Sequence, residues 1–169
     1  MESVEFAILD WIQQHGFLDT VLPAVSWICN HGEVWIILAA VLLLRKRDRW
    51  VGVSVALALV LDLVCCNLIL KPLVDRVRPF AVNTAVEPLD ASFPSGHTAA
   101  SFAAVFALKA SGSRLWKPAL VLAAAIAFSR LYLYVHWPSD VLFGAVLGAA
   151  LGYAGAWLAG RFRHRLEHS

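Results

Sequence analysis

The sequence predicts an all-α membrane protein, a polytopic bundle of about six transmembrane helices preceded by an amphipathic interfacial helix. Three observations carry that expectation. Apolar residues make up 60% of the 169, charged residues only 15%, and mean hydropathy is +0.69; soluble domains have roughly 45–50% and ~25%. The apolar residues are gathered into runs parted by short polar turns. Ten of the fourteen lysines and arginines lie in three short segments that such a bundle places on one side of a bilayer. The length is that of one domain, so a single membrane-embedded domain is expected over residues 1–169.

Val4 to Gln13 sets Val4, Ile8, Trp11 and Ile12 among Glu5, Asp10 and Gln13, the pattern of a short helix lying in the interface. Two apolar stretches follow, Phe17 to Cys29 and Val34 to Leu44, each a span only if flanking residues extend it. Trp50 to Leu70 is long enough to cross. A more polar loop, Lys71 to Phe93, carries Pro72, Pro79 and Pro88. Further spans are expected from Ser95 to Ala110, Leu115 to Leu133 and Ser139 to Gly160. In the last, Gly144, Gly148, Gly152, Ala156 and Gly160 recur every four residues, a small-residue ridge for close helix packing.

Charge sets the orientation. Arg45, Lys46, Arg47 and Arg49, then Lys109, Arg114 and Lys117, then Arg161, Arg163 and Arg165 fall at the same ends of these spans. The positive-inside rule makes that end cytoplasmic. Lys71, Arg76, Arg78 and Arg130 remain at the opposite end. A net charge of +2 without a basic stripe excludes a nucleic-acid partner. Cys29, Cys65 and Cys66 form no disulfide framework and read as small apolar residues. The opening MESVEFAILDWIQQ is acidic where a cleavable signal would be basic.

The outer end of the bundle gathers Lys71, Arg78-Pro79, Pro94-Ser95-Gly96-His97, Ser129-Arg130, His136 and Asp140. Three cations, two histidines, a carboxylate and a helix N-terminus suit a phosphate. Ser95 can cap the helix, and Gly96 lets a ligand approach the backbone. One neutral imidazole can attack phosphorus while the other, protonated, donates to the departing oxygen. Asp140 would hold the nucleophile's second nitrogen, as in hydrolase triads. No metal-ligand spacing appears, so no metal and no other cofactor is expected.

Lys71-x6-Arg78-Pro79, Pro94-Ser95-Gly96-His97 and Ser129-Arg130-x5-His136-x3-Asp140 together resemble the three-part signature of the type 2 phosphatidic acid phosphatase superfamily. The resemblance holds at every signature position from Lys71 to Asp140, and the surrounding helices are similar to the family's six-helix membrane core. It implies a catalytic set of His136 as nucleophile forming a phosphohistidine, His97 as general acid and Asp140 in support. It also implies phosphoryl binding by Lys71, Arg78, Ser95, Gly96 and Arg130. The partner it implies is a lipid phosphate substrate, with undecaprenyl pyrophosphate first and phosphatidylglycerol phosphate or phosphatidic acid behind it. A phosphotransferase and a non-catalytic lipid-phosphate binder or transporter are the rival readings; oligomeric state is left open.

Four other expectations concern neighbouring residues. Arg76 matches no signature position and is read as a solvated or headgroup-contacting cation, with Asp75 its loop neighbour. Tyr132, Tyr134 and Trp137 are read as interfacial anchors. Asp62, within the third apolar run, is expected to be buried and hydrogen-bonded. His15, His31, His164 and His168 are read as interface or tail residues.

Overall fold

The computed structural model describes residues 2–14, 32–80 and 90–168, and every regular element among them is helical. Helix α1 spans Glu2–Gln13, α2 Glu33–Leu44, α3 Arg49–Val74, α4 Gly96–Ala110, α5 Trp116–Tyr132 and α6 Pro138–Glu167. The expected stretch Phe17–Cys29, with His15, Cys29 and His31, lies outside the described residues. Helices α3 and α6 are long and apolar enough to cross a bilayer. Helix α6 runs past the expected end at Gly160 because nothing breaks it, and an Arg163–Glu167 pair at 2.8 Å continues its last turn.

The distribution of side chains is that of a membrane protein. Ile37, Leu44, Leu68, Leu142, Val146 and Trp157 are exposed, whereas Ser92, Ser95, Thr98, Ser129, Arg130, His136 and Asp140 are buried. Many large apolar side chains on the exterior, beside a buried polar cluster, are costly in water and favourable in lipid.

Helix α3 is not uniform. Arg49–Asp62 is α-helical, Leu63–Leu70 is wound as a π-helix, and the Lys71 N–H reaches back to the Cys66 carbonyl. The wider π turn brings Leu63, Asn67 and Lys71 onto one face, where they line a groove of about 610 Å³ with Gly96 and His97. A wider turn also advances less per residue, so Asp62 lies less deep below Lys71 than an α-helical count gives.

The small-residue ridge brings α4 and α6 into backbone contact. A Cβ on Gly144, Gly148 or Gly152 would lie 2.8, 2.2 or 2.5 Å from the carbonyl oxygens of Ser95, Ala99 and Ala103. Gly160, though in the same register, meets nothing within 4 Å; Gly155 instead packs on α3, its Cβ position 2.6 Å from the Ala58 nitrogen. The ridge therefore serves the upper half of α6 alone, and this close packing sets the start of α4 against the start of α6.

The basic segments converge as expected. Lys46, Arg47, Arg49, Arg114 and Arg163 line one groove at the far end of the bundle. Helix α1 presents two different faces. Val4 and Trp11 are 63% and 64% exposed, while Leu9 and Ile12 are buried on the loop after α5. Its polar residues bond inward: Tyr134 OH donates to Asp10 at 2.5 Å and Gln13 Nε2 to the Tyr132 carbonyl at 3.4 Å.

Candidate active site

Three backbone bonds hold distant segments together at the outer end. Phe80 N–H donates to the Tyr134 carbonyl (3.2 Å), Ser92 N–H to that of Arg76 (2.7 Å), and Ser95 N–H to that of Asp140 (3.2 Å). These bonds draw the chain after α3, the chain before α4 and the α5–α6 loop onto one point. Tyr134 has φ of 60° in that loop, a left-handed conformation costing a non-glycine residue about 1–2 kcal/mol. Its bond to Asp10 and its packing beneath α1 hold it there.

His136 is buried, and its two ring nitrogens differ. Nδ1 lies 2.8 Å from the Ser92 carbonyl oxygen. A carbonyl can only accept, so Nδ1 carries the proton and Nε2 presents a lone pair. Nε2 faces Arg78 Nη1 at 3.4 Å. Burial pushes the His136 pKa down; the nearby Asp140 carboxylate opposes this, while the charges of Arg78 and Lys71 add to it. Burial thus favours the neutral imidazole, with its Nδ1 proton bonded to the Ser92 carbonyl.

Asp140 stands 3.7 Å from Nδ1, close enough for charge but beyond a hydrogen bond. The tautomer is thus fixed by the Ser92 carbonyl, and Asp140 supplies the field beside it. Asp140 also accepts the Trp137 N–H at 2.9 Å and the Ser92 hydroxyl. It thereby closes the first turn of α6 as well as facing the histidine.

Lys71 and Arg78 converge on Asp90, which ion-pairs with both. Arg78 also donates to the Val135 carbonyl at 3.0 Å. The Asp90 carboxylate is thus an anion held between two cations. Burial pushes its pKa up, but the bond from Lys71 and the charge of Arg78 outweigh burial and hold it below the usual carboxylate range. It therefore remains an anion into mildly acidic solution. Asp90→Asn should bind inorganic phosphate about three- to tenfold more tightly, the worth of opening partly exposed pairs. Calorimetry would check this, and unchanged affinity would show that the pairs open freely.

The remaining expected residues are placed as follows. Arg130 is buried at the end of α5, with Nε and Nη2 each 3.2 Å from Ser129 Oγ. Ser95 occupies the N-cap position of α4 but makes no cap bond; its hydroxyl pairs with Thr98 Oγ1 at 3.0 Å. Gly96 leaves room for the Asn67 side chain, whose Oδ1 would be 3.3 Å from an added Cβ. His97, in the first turn of α4, lines the groove that also contains Lys71 and Asp62.

Several residues depart from their sequence readings. Arg76 is no solvated cation: Nη1 donates to Asp140 Oδ1 at 2.7 Å and to Ser139 Oγ at 2.6 Å, and Nη2 donates to Glu5 Oε2 at 2.6 Å. Tyr132, Tyr134 and Trp137 are buried rather than interfacial anchors, because α1 covers them. Asp62 is buried as expected, yet its Oδ1 has no hydrogen-bond partner among the described residues. No sequence expectation places Ser92, Asp90 or Glu5 in the site. Only Ser92 has a sequence signal, a polar residue two positions before the Pro94 motif, and it is faint.

Known proteins resemble this chain over most of its length. The family model described as the PAP2 superfamily matches residues 49–163. A decaprenylphosphoryl-5-phosphoribose phosphatase of Mycobacterium tuberculosis is 37% identical over 164 residues, covering 90% of this chain and 84% of the relative. An undecaprenyl-diphosphatase of Sulfolobus acidocaldarius is 35% identical over 126 residues, covering 71% of this chain but 61% of the relative's own length. The crystal structure of LpxE from Aquifex aeolicus superposes with a TM-score of 0.73 at 26% identity, covering 89% of this chain and 93% of that one.

Proposed function

This chain belongs to the PAP2 superfamily, and from that premise we propose that it hydrolyses a lipid phosphate or pyrophosphate through a phosphohistidine on His136. The observation that carries the reading is the orientation of one ring: Nδ1 is tied to the Ser92 carbonyl and Nε2 is turned toward Arg78. Nε2 attacks phosphorus and the bond from phosphorus to the lipid-side oxygen breaks. His97 gives that oxygen its proton, and Lys71, Arg78 and Arg130 meet the charge on the equatorial oxygens. His97 then takes a proton from water, the hydroxide attacks phosphorus, and the phosphorus–nitrogen bond breaks to release phosphate and neutral His136. The first turn of α4, from Gly96 on, supplies N–H groups to the phosphoryl group, and Ser95 offers its hydroxyl. No step needs a metal.

The substrate we favour is undecaprenyl pyrophosphate. The apolar groove of about 610 Å³ beside Lys71 and His97 supports a chain presented from the bilayer, and the Sulfolobus relative is named for that diphosphate. A second reading is a polyprenyl-linked phosphate ester, favoured by the longer match to the mycobacterial relative. Phosphatidylglycerol phosphate and phosphatidic acid come next. The basic groove at the opposite end supports a multi-pass chain in the cytoplasmic membrane with the site facing outward and α1 in the outer interface. The exposed Val4, Ile8 and Trp11 of α1 would then contact lipid.

Phosphate release from a panel of purified polyprenyl and glycerolipid phosphates, with and without EDTA, tests the reading. Polyprenyl substrates should lead, EDTA should leave the rate unchanged, and acid-labile, base-stable phosphoenzyme should accumulate on rapid quenching. Strict dependence on a divalent ion would sink the mechanism. Release only with an added acceptor lipid would make the protein a phosphotransferase.

A further inference from the structure

We propose that Arg76 and Glu5 are positioning residues: Glu5 on α1 fixes Arg76, and Arg76 takes up the charge of Asp140 so that His136 keeps a neutral imidazole. The inference rests on the reading of His136 as nucleophile, but its decisive test does not.

Asp140 is fully buried, and a buried carboxylate needs a countercharge. Among the described residues two groups form ion pairs with it. Arg76 does so at 2.7 Å through Oδ1, and His136, when protonated, does so at 3.7 Å through Oδ2. The two compete for one role. While Arg76 fills it, the histidine need not carry a proton, and its lone pair stays available. Without Arg76, the cheapest countercharge is a proton on His136, and the nucleophile is lost.

The hold on Arg76 is extensive for a residue of a loop. Its guanidinium lies 4.9 Å from the centre of the Trp137 ring, and its fork is divided between Asp140, Ser139 and Glu5. Glu5 also accepts the Ser139 N–H at 3.0 Å and hydroxyl at 2.6 Å, which ties α1 to the first turn of α6. Burial raises the Glu5 pKa, but the Ser139 bonds and Arg76 outweigh burial, so Glu5 stays charged. An exposed ion pair would be worth little, but here the arginine and glutamate side chains are 25% and 13% exposed and the aspartate 0%. Among the described residues the other charged or titratable groups at this end include Lys71 at the foot of α3, Asp75, Arg78 and Asp90 in the loops, Asp10 on α1, Tyr134 in the α5–α6 loop, His97 on α4, and Arg130 and Tyr132 on α5. The positive charges of Lys71 and Arg78 oppose protonation of His136, so they cannot produce the change expected on losing Arg76.

The test is to titrate the His136 imidazole by NMR in detergent-solubilised protein without substrate, using His136→Ala to assign its signal. In Arg76→Gln the midpoint should rise by about one pH unit, and the acid limb of kcat/KM should move with it. Arg76→Lys, which keeps the charge, should restore most of the shift but not the full kcat. Glu5→Gln should lower kcat several-fold at unchanged KM, without moving the limb upward. An unmoved or lowered midpoint in a folded Arg76→Gln protein overturns the proposal, because a merely structural arginine would reduce kcat at every pH alike. If the midpoint rises but no lipid phosphate is ever hydrolysed, the positioning role stands and the functional reading fails.

Discussion

His136→Ala should abolish phosphate release, with kcat reduced by about 10⁴-fold or more, the scale seen when a covalent nucleophile is removed. Binding of the lipid phosphate should change by no more than about threefold. The two expectations have separate causes. In the proposed mechanism binding rests on Lys71, Arg78, Arg130 and the first turn of α4, which meet the anion whether or not a bond forms to it. Turnover rests on Nε2, which has no replacement among its neighbours: Ser92, the nearest hydroxyl, faces Nδ1 and Asp140 on the other edge of the ring. Phosphate release and equilibrium binding of radiolabelled substrate, measured on one preparation, separate the terms. Full biological activity in the variant would identify a binder or transporter instead. Loss of both binding and release would mean that the imidazole itself anchors the ground state.

What the sequence disclosed follows from how far each residue's role depends on its own type. Lys71, Arg78 and Arg130 stand out because cations at the end of a helical bundle away from its basic segments require a reason. His97, His136 and Asp140 stand out by fixed spacing to them. Arg76 was as visible as Arg78 but was misread, because its role is defined by Glu5, seventy-odd positions earlier, and Asp140, more than sixty later. No local pattern encodes such a meeting. Asp90 was hidden for the same reason: it sits between Lys71 and Arg78 only after the chain has turned back.

The described helices were legible to within a few residues, save that α6 runs on from Gly160 to Glu167, since apolar runs and polar turns fix their limits. The π-helical winding of Leu63–Leu70 was not, because its sequence contains neither proline nor glycine. Helix α1 was legible as amphipathic, but which face docks depends on what lies beneath. Tyr132, Tyr134 and Trp137 supply an apolar bed together with partners for Asp10 and Gln13, so the mixed face turns inward. The outward face of α1 is left apolar, which suits a lipid interface better than water.

Gly148→Ala should destabilise the protein severely, whereas Gly160→Ala, twelve residues along the same helix, should leave it unchanged or slightly more stable. Both substitutions add one methyl group, and both favour the helix by up to ~1 kcal/mol. Only surroundings distinguish them. At Gly148 the new carbon would lie 2.2 Å from the Ala99 carbonyl oxygen and 3.0 Å from the Ala103 nitrogen; at Gly160 it would meet nothing within 4 Å. The clash is with backbone, which cannot rotate away as a side chain can, so α4 and α6 must separate. A cost of about 3 kcal/mol or more, the upper end for overpacking, is expected. Thermal unfolding of both variants in detergent measures the contrast, and equal melting temperatures would show that the ridge is not a packing contact. Activity should fall further than stability in any Gly148→Ala protein that survives. The same interface joins Ser95 N–H to the Asp140 carbonyl at 3.2 Å, and α4 carries His97 while α6 carries Asp140. Separating these helices therefore moves the proposed acid away from the nucleophile it serves, and positioning errors of an ångström cost about a hundredfold in rate.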